Sequence, residues 1–387
     1  MRRRSFCTLA AGAASAGVLG SGRLFAEGGS AVGHPAAAGI NRAYFIHGLP
    51  KAELHIHLEG LLEPADVIAL ADRYGLDYPY RTVQDVVARL ASIHDLATFI
   101  EVYESHAKVL IEPQDFYDLA FRYCVRSQQQ GVRRIEFHFD PQLHVYRGIP
   151  LSAITEALDA VALDASRTLG LSVAAIMAFN RNRSSESAME LLRESERVRA
   201  SILGIGLDNP EVEDFPQKFE AVFDRAREMG YRLTSHCDVN QPKTHVHLRD
   251  CIELLRVERI DHGVNILDRP ELIQLAQSAG IKFTVCPNIF ASPTGYHTDY
   301  FSICAKALQG MEAHGLPAMI NTDDPGLMAS TYLNDVYHAT ADQNGWSVAD
   351  AAAAAKRSFE VAWITDAEKA AYHREIDAYL EAWADPD

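Results

Sequence analysis

The sequence has no CxxC pair, no surplus of basic residues, and no apolar run of the ~20 residues that a membrane-spanning helix needs. Its six cysteines are scattered, so no disulfide framework is indicated. Lys and Arg number 36 against 52 Asp and Glu, a formal charge of −16. A surface of that sign repels phosphate backbones and anionic membranes. Nucleic-acid polymers and stable membrane insertion are therefore excluded as expectations, and a small neutral or cationic ligand is favoured. Gly (24) and Pro (16) are near average, so no long linker is implied. At 387 residues, 48% hydrophobic and 23% charged, the chain is neither disordered nor collagenous. It has room for one large domain or two medium ones. Nothing in it sets an oligomeric state.

All the basic charge of the first 26 residues is arginine, and they contain no acid. Arg3-Arg4-Ser5-Phe6 precedes a short apolar stretch from Leu9 to Leu19, then Leu24-Phe25-Ala26. This resembles a bacterial twin-arginine export signal, so the expectation is a periplasmic protein whose mature chain starts near Glu27. The alternative is a disordered basic tail. Residues 27–45, rich in Gly, Ala, Ser and Pro, read as a flexible tail, and 46–387 as a single folded unit.

Within that unit β-rich runs alternate with helical patterns. Strands are expected near Ala52–His57, Val132–Phe139, Ser172–Phe179, Ile202–Leu207, Arg232–His236, Glu258–Asp261, Ile281–Cys286 and Pro317–Thr322. Helices are expected between them, with extra ones at Val83–Leu90 and Leu96–Leu110 and closing ones from Ser347 to Trp383. Eight such repeats favour an α/β fold of the (β/α)8 TIM-barrel type over an open sheet. No GxGxxG follows the first strand, which counts against a dinucleotide-binding fold.

In a barrel the active site lies where the strands end. The first strand delivers His55 and His57, alternate residues on one face. The fifth ends in His236, the sixth in Asp261-His262-Gly263, and the eighth in Asp323-Asp324-Pro325. Four His and three Asp at one mouth suggest a divalent metal. Nitrogen and oxygen ligands without thiolate suit Zn2+ ahead of Fe2+ or Mn2+.

Three motifs carry a family resemblance: residues 50–60 (Pro-Lys-Ala-Glu-Leu-His-Ile-His-Leu-Glu-Gly), Arg259-Ile260-Asp261-His262-Gly263 and Asn321-Thr322-Asp323-Asp324-Pro325. In this order they resemble the adenosine/adenine deaminase family of the amidohydrolase superfamily, over about Leu49 to Tyr332. Phe139-Asp140-Pro141-Gln142, Gly204-Ile205-Gly206-Leu207-Asp208 and Thr284-Val285-Cys286-Pro287 lean towards the bacterial branch that deaminates free adenine. The resemblance implies one divalent metal held by His55, His57, His236 and Asp323, and a purine or related aminoheterocycle as ligand. It further implies His262 as base or electrostatic partner of the attacking water, and Asp324 on the N7 side of the ring. Gly206 is a substrate-contact candidate, and Glu59 either lines the pocket or is a solvated turn residue.

Two departures stand out. The family follows its fifth-strand His with Ala-Gly-Glu, whose Glu protonates the ring. Here the chain reads His236-Cys237-Asp238-Val239, so Asp238, one residue early and one methylene shorter, is the candidate acid. Such an acid needs a raised pKa to stay protonated near neutrality. Cys237 beside it is a small buried filler or, alternatively, a nucleophile. Second, Cys286-Pro287 is followed by Asn288-Ile289-Phe290 where the family has a Ser-Asn-type run. Three readings remain open: a purine deaminase, an amidohydrolase acting on another C–N bond or an N6-substituted purine, and a barrel that binds metal or purine without turnover.

Overall fold

Eight strands run parallel in sequential order, β1 to β8, in the computed structural model, which describes residues 35–288 and 299–384. They are β1 Lys51–His57, β2 Val132–Phe139, β3 Ser172–Asn180, β4 Gly204–Asp208, β5 Arg232–Cys237, β6 Arg259–His262, β7 Lys282–Val285 and β8 Ala318–Ile320. Each pairs with the next in parallel register. The seam closes through Asp323: His57 N–H donates to the Asp323 carbonyl at 2.9 Å, and Asp323 N–H donates to the His55 carbonyl at 3.2 Å. The expected (β/α)8 TIM barrel is what the chain forms. Helices cover the outside, so both faces of each strand are buried, as in parallel sheets generally.

Period-2 alternation decides what fills the interior. On β1, Lys51, Glu53, His55 and His57 share one face, and on β2 so do Arg134, Glu136 and His138. Low in the barrel these are ion pairs: Glu136 binds Arg134 at 3.0 Å and Arg259 at 2.7 Å. Arg259 in turn stacks on Trp363 at 3.5 Å. Higher up they are imidazoles. The strands thus carry a polar column that ends in the candidate ligands.

Helix boundaries follow local chemistry. Pro64–Tyr74 starts with proline at its first turn, has a reciprocal Glu63/Asp66 capping box, and stops at Gly75, whose φ of 60° suits glycine. The inserted pair Val83–Ala91 and Leu96–Ala107 begins with Thr82/Asp85 and Asp95/Thr98 boxes. Helices at Pro141–Val145, Thr244–Glu253 and Leu333–Asn344 add to those expected from the sequence.

One expectation is corrected. Residues 27–45 were read as a flexible tail, but Pro35–Gly48 is helical. Its end is anchored because Phe45 is buried against Tyr379 and Trp383 of the C-terminal helix Asp366–Ala384, with ring centroids 5.1 and 5.5 Å away. The segment expected to act as an export signal, residues 1–26, lies outside the described residues. Among the described residues no helix is long and apolar enough to cross a membrane.

Candidate active site

His55 and His57 arrive together from β1, His236 from β5, and Asp323 from the turn after β8. The His55 Nδ1 lies 3.1 Å from the Thr284 carbonyl, which turns its Nε2 inward. That Nε2 is buried with no hydrogen-bond partner and sits 3.1 Å from Asp323 Oδ1. The His57 Nε2 faces the His236 Nε2 at 3.0 Å and Asp323 Oδ1 at 3.4 Å. Four ligands held ~2.1 Å from a tetrahedral metal lie about 3.4 Å from one another. The cluster therefore has the dimensions of a divalent metal site, and these four residues are grouped tightly enough to share one ion.

Electrostatics agree. Although burial opposes it, the Asp323 and Asp261 carboxylates raise the His55 pKa to about 9, so the site draws positive charge to itself. Burial, and then repulsion from His55, lowers the His236 pKa to about 3 and keeps that imidazole neutral, the form that binds a metal. Asp261 Oδ2 lies 3.2 Å from His236 Nδ1 and accepts from Thr234 Oγ1 at 2.8 Å, while Thr284 Oγ1 donates to Oδ1 at 2.5 Å. This carboxylate fixes the tautomer and angle of the ligand. His138, which the sequence reading gave no role, lies under the cluster with ring centroids 5.2–5.5 Å from His57, His55 and His236.

Alternation on β6 would send Asp261 and His262 to opposite faces. Both nevertheless reach the site, because His262 adopts a left-handed backbone with φ 60°. Asp323 does the same with φ 62°. Such conformations cost a non-glycine residue of order 1 kcal/mol or more and persist where the surroundings impose them. The turn places His262 Nε2 3.4 Å from Asp238 Oδ1 and 3.7 Å from Asp323 Oδ2.

A small cavity of about 50 Å³ opens above these groups. Leu96, Phe99, Ile100 and Tyr103 of the inserted helix form one wall, at helical spacing, and Asp140, Asp208, Asn209, Asp238 and Asp324 face them. Asp324 is protonated more readily than an ordinary carboxyl, through burial and then through Asp323 beside it. Among the described residues, no Lys or Arg lines this cavity.

Asp238, not Val239, lines the cavity; Val239 joins the hydrophobic core. The Asp238 carboxylate accepts from Arg181 Nη2 at 2.5 Å. Burial opposes its ionisation, but Arg181 and then His262 outweigh that and hold its pKa below the usual carboxylate range. The raised pKa expected of a ring-protonating acid is thus absent, because a buried guanidinium sits on the group. Glu59 is neither pocket lining nor solvated: it is buried, 2.7 Å from His144 Nε2 and bonded to the Asp140 N–H at 3.2 Å. Gly206 lies within β4 and does not line the cavity; the nearest atoms to a Cβ there would be Thr234 Cγ2 and Ile176 Cγ2. Cys237 packs 3.7 Å from Cys251, and burial pushes its thiol pKa up, as suits a filler. Asn288 donates to Asp323 Oδ2 at 3.1 Å, whereas Ile289 and Phe290 lie outside the described residues.

The adenosine deaminase family model matches residues 50–379. An uncharacterized deaminase of Schizosaccharomyces pombe is 38% identical over 339 residues, 88% of this chain and 98% of that protein. An adenine deaminase of Caulobacter vibrioides is 37% identical over 340 residues, 88% of this chain and 96% of that one. Among solved structures, adenine deaminase from Arthrobacter aurescens superposes with a TM-score of 0.78 at 31% identity, covering 86% of this chain and 99% of its own. A zinc-bound amidohydrolase from Burkholderia ambifaria gives 0.76 at 27%, covering 89% and 95%. The barrel, its ligand cluster and these matches together make the chain a member of the adenosine deaminase family of the amidohydrolase superfamily.

Proposed function

We propose that this chain is a metal-dependent hydrolytic deaminase of a purine base or nucleoside, with Zn2+ held by His55, His57, His236 and Asp323. The observation that carries the reading is the convergence of those four ligands with His262 and Asp324 at one cavity. Held by these four residues, the metal would supply a Lewis acid that lowers the pKa of a water towards neutrality. Burial lowers the His262 pKa, so its neutral imidazole is the base that would accept a proton from the attacking water as that oxygen bonds to the amine-bearing carbon. The Asp238 carboxylate, 3.4 Å away, stabilises the imidazolium, which returns the proton to the departing ammonia. Asp324, a carboxyl that holds its proton, donates a hydrogen bond to the N7 side of the ring. A cavity whose described walls are carboxylates, with no Lys or Arg among them, disfavours phosphorylated substrates and favours bases and nucleosides.

A second reading rests on Asp238. A carboxylate clamped by Arg181 is a poor ring acid, which favours substrates that need no ring protonation, such as some N6-substituted purines or another C–N bond. Amine release from zinc-loaded protein separates the readings. Ammonia from adenine or adenosine supports the first, and release only from N6-substituted purines supports the second. Purine binding without amine release from any of them would leave a non-catalytic barrel. We propose also that residues 1–26 direct twin-arginine export to the periplasm. Replacing Arg3 and Arg4 by Lys then traps the chain in the cytoplasm, whereas unchanged periplasmic yield would show those arginines to be incidental.

A further inference from the structure

Arg181 follows β3 directly, and no motif singles it out. It is 1% exposed, in a cation–π contact with Phe215 at 5.0 Å. Its Nε donates to the carbonyls of Asp208 and Asn209 at 3.0 and 2.9 Å. Its Nη1 donates to the carbonyl of the ligand His236 at 2.8 Å and lies 3.4 Å from Glu211 Oε1. Its Nη2 donates to the Asn209 carbonyl and to Asp238 Oδ2. One planar guanidinium thus ties the end of β3 to the loops after β4 and β5, a fan of acceptors that a lysine ammonium cannot match. Glu211 braces the same loop from behind. Its Oε1 accepts from the Asp238 N–H at 2.6 Å, and its Oε2 lies 2.6 Å from His247 Nδ1. A buried charge is tolerated when it is paired and fully hydrogen-bonded, and Arg181 meets both conditions.

We infer that Arg181 is a positioning residue for the hydrolysis: it holds the Asp238 carboxylate in the one orientation that leaves Oδ1 facing His262 Nε2. Asp238 has two oxygens with two assignments, one on the guanidinium and one towards the imidazole, and Arg181 sets the first so that the second is available. This deepens the deaminase reading and rests on it. Arg181 touches neither the metal ligands' side chains nor the cavity, so its removal changes turnover through Asp238 rather than metal binding.

The test is a cycle of zinc-loaded variants: Arg181→Met, Asp238→Asn, the double variant, and Arg181→Lys. Each single variant is expected to keep one equivalent of metal. With whichever purine the wild type turns over, kcat should fall on the order of 10- to 100-fold and KM should change only a few-fold. The double variant should be no slower than the slower single one, because both remove the same orientation. Arg181→Lys should recover part of kcat. Losses that multiply in the double variant, an unchanged kcat in Arg181→Met, or loss of its metal would each overturn the inference. If the wild type releases no amine from any purine, the functional reading fails separately, and thermal melting still tests the pairing. The double variant should then melt above Arg181→Met, since it no longer strands a carboxylate; no recovery would overturn it. Should Arg181→Met fail to fold, Arg181→Lys decides: wild-type kcat and melting in that variant would overturn the inference.

Discussion

The carboxylate of Asp324 occupies the space where a side chain on Gly60 would begin: a Cβ built there lies 1.9 Å from Asp324 Oδ1. The glycine that ends the His-Leu-Glu-Gly motif is therefore needed for close approach, not for an unusual φ. Gly60→Ala should push Asp324 off its position while leaving the four metal ligands in place. We expect metal content to be kept and kcat/KM for a purine to fall about 100-fold, the usual scale for a 1 Å displacement in a site. Metal analysis and steady-state kinetics on the same preparation check this, and normal kinetics would place Asp324 outside the substrate contacts.

His57→Ala should strip metal and activity together. His57 Nε2 is one corner of the cluster, and its loss leaves three ligands around a buried position. Elemental analysis after dialysis reads the result directly. Full metal content in this variant would remove His57 from the ligand set.

The wall of the cavity should be the acid-sensitive part of the protein. His106 is at the end of helix Leu96–Ala107, buried, with no hydrogen-bond partner on either ring nitrogen. Burial lowers its pKa from 6.5 to about 4. Between those values the unfolded chain binds the extra proton. Stability is therefore complete above pH 6.5 and is lost as pH falls towards 4, by about 3 kcal/mol over the full window. His106→Met should flatten that part of the stability–pH curve in urea unfolding at pH 5 to 7. An unchanged slope would assign the acid sensitivity to other groups.

Much of the fold was legible because period-2 patterning and strand-end placement act locally. His55 and His57 share a face two residues apart, and Asp261-His262 and Asp323-Asp324 mark where strands stop. What could not be read depends on contacts between distant segments. Arg181, Glu211 and Asp238 stand well apart in the chain, and the ends of β3, β4 and β5, with His247 on the helix after β5, bring them together. Leu96, Phe99 and Ile100 were legible as a helix stripe, but nothing local distinguishes a pocket wall from ordinary core. The burial of Glu59 was not legible because its partner His144 lies 85 residues away. The helix Pro35–Gly48 was read as a tail because an Ala- and Gly-rich start hides the anchor that Phe45 makes with the far C-terminus.

The loop after His236 departs from the family pattern at Asp238 and Val239. Asp238→Gly with Val239→Glu would restore the Gly-Glu half of the family pattern at the level of sequence, and a reading from sequence alone expects adenine deamination to rise. The structure argues the opposite. Val239 is 3% exposed and packs in the hydrophobic core, so a glutamate there starts from a position facing away from the cavity. Removing Asp238 also leaves buried Arg181 with Glu211, 3.4 Å away, as its one remaining carboxylate, and losing the closer partner of a buried pair costs up to about 3–5 kcal/mol. Burying the new carboxylate in apolar surroundings adds to that cost. We therefore expect the double variant to melt well below the wild type and to deaminate adenine no faster. A third substitution, Arg181→Met, should recover part of the melting temperature by removing the stranded cation. Thermal melting and ammonia release decide it: a double variant that melts normally and deaminates adenine faster would mean that the loop turns residue 239 towards the ring.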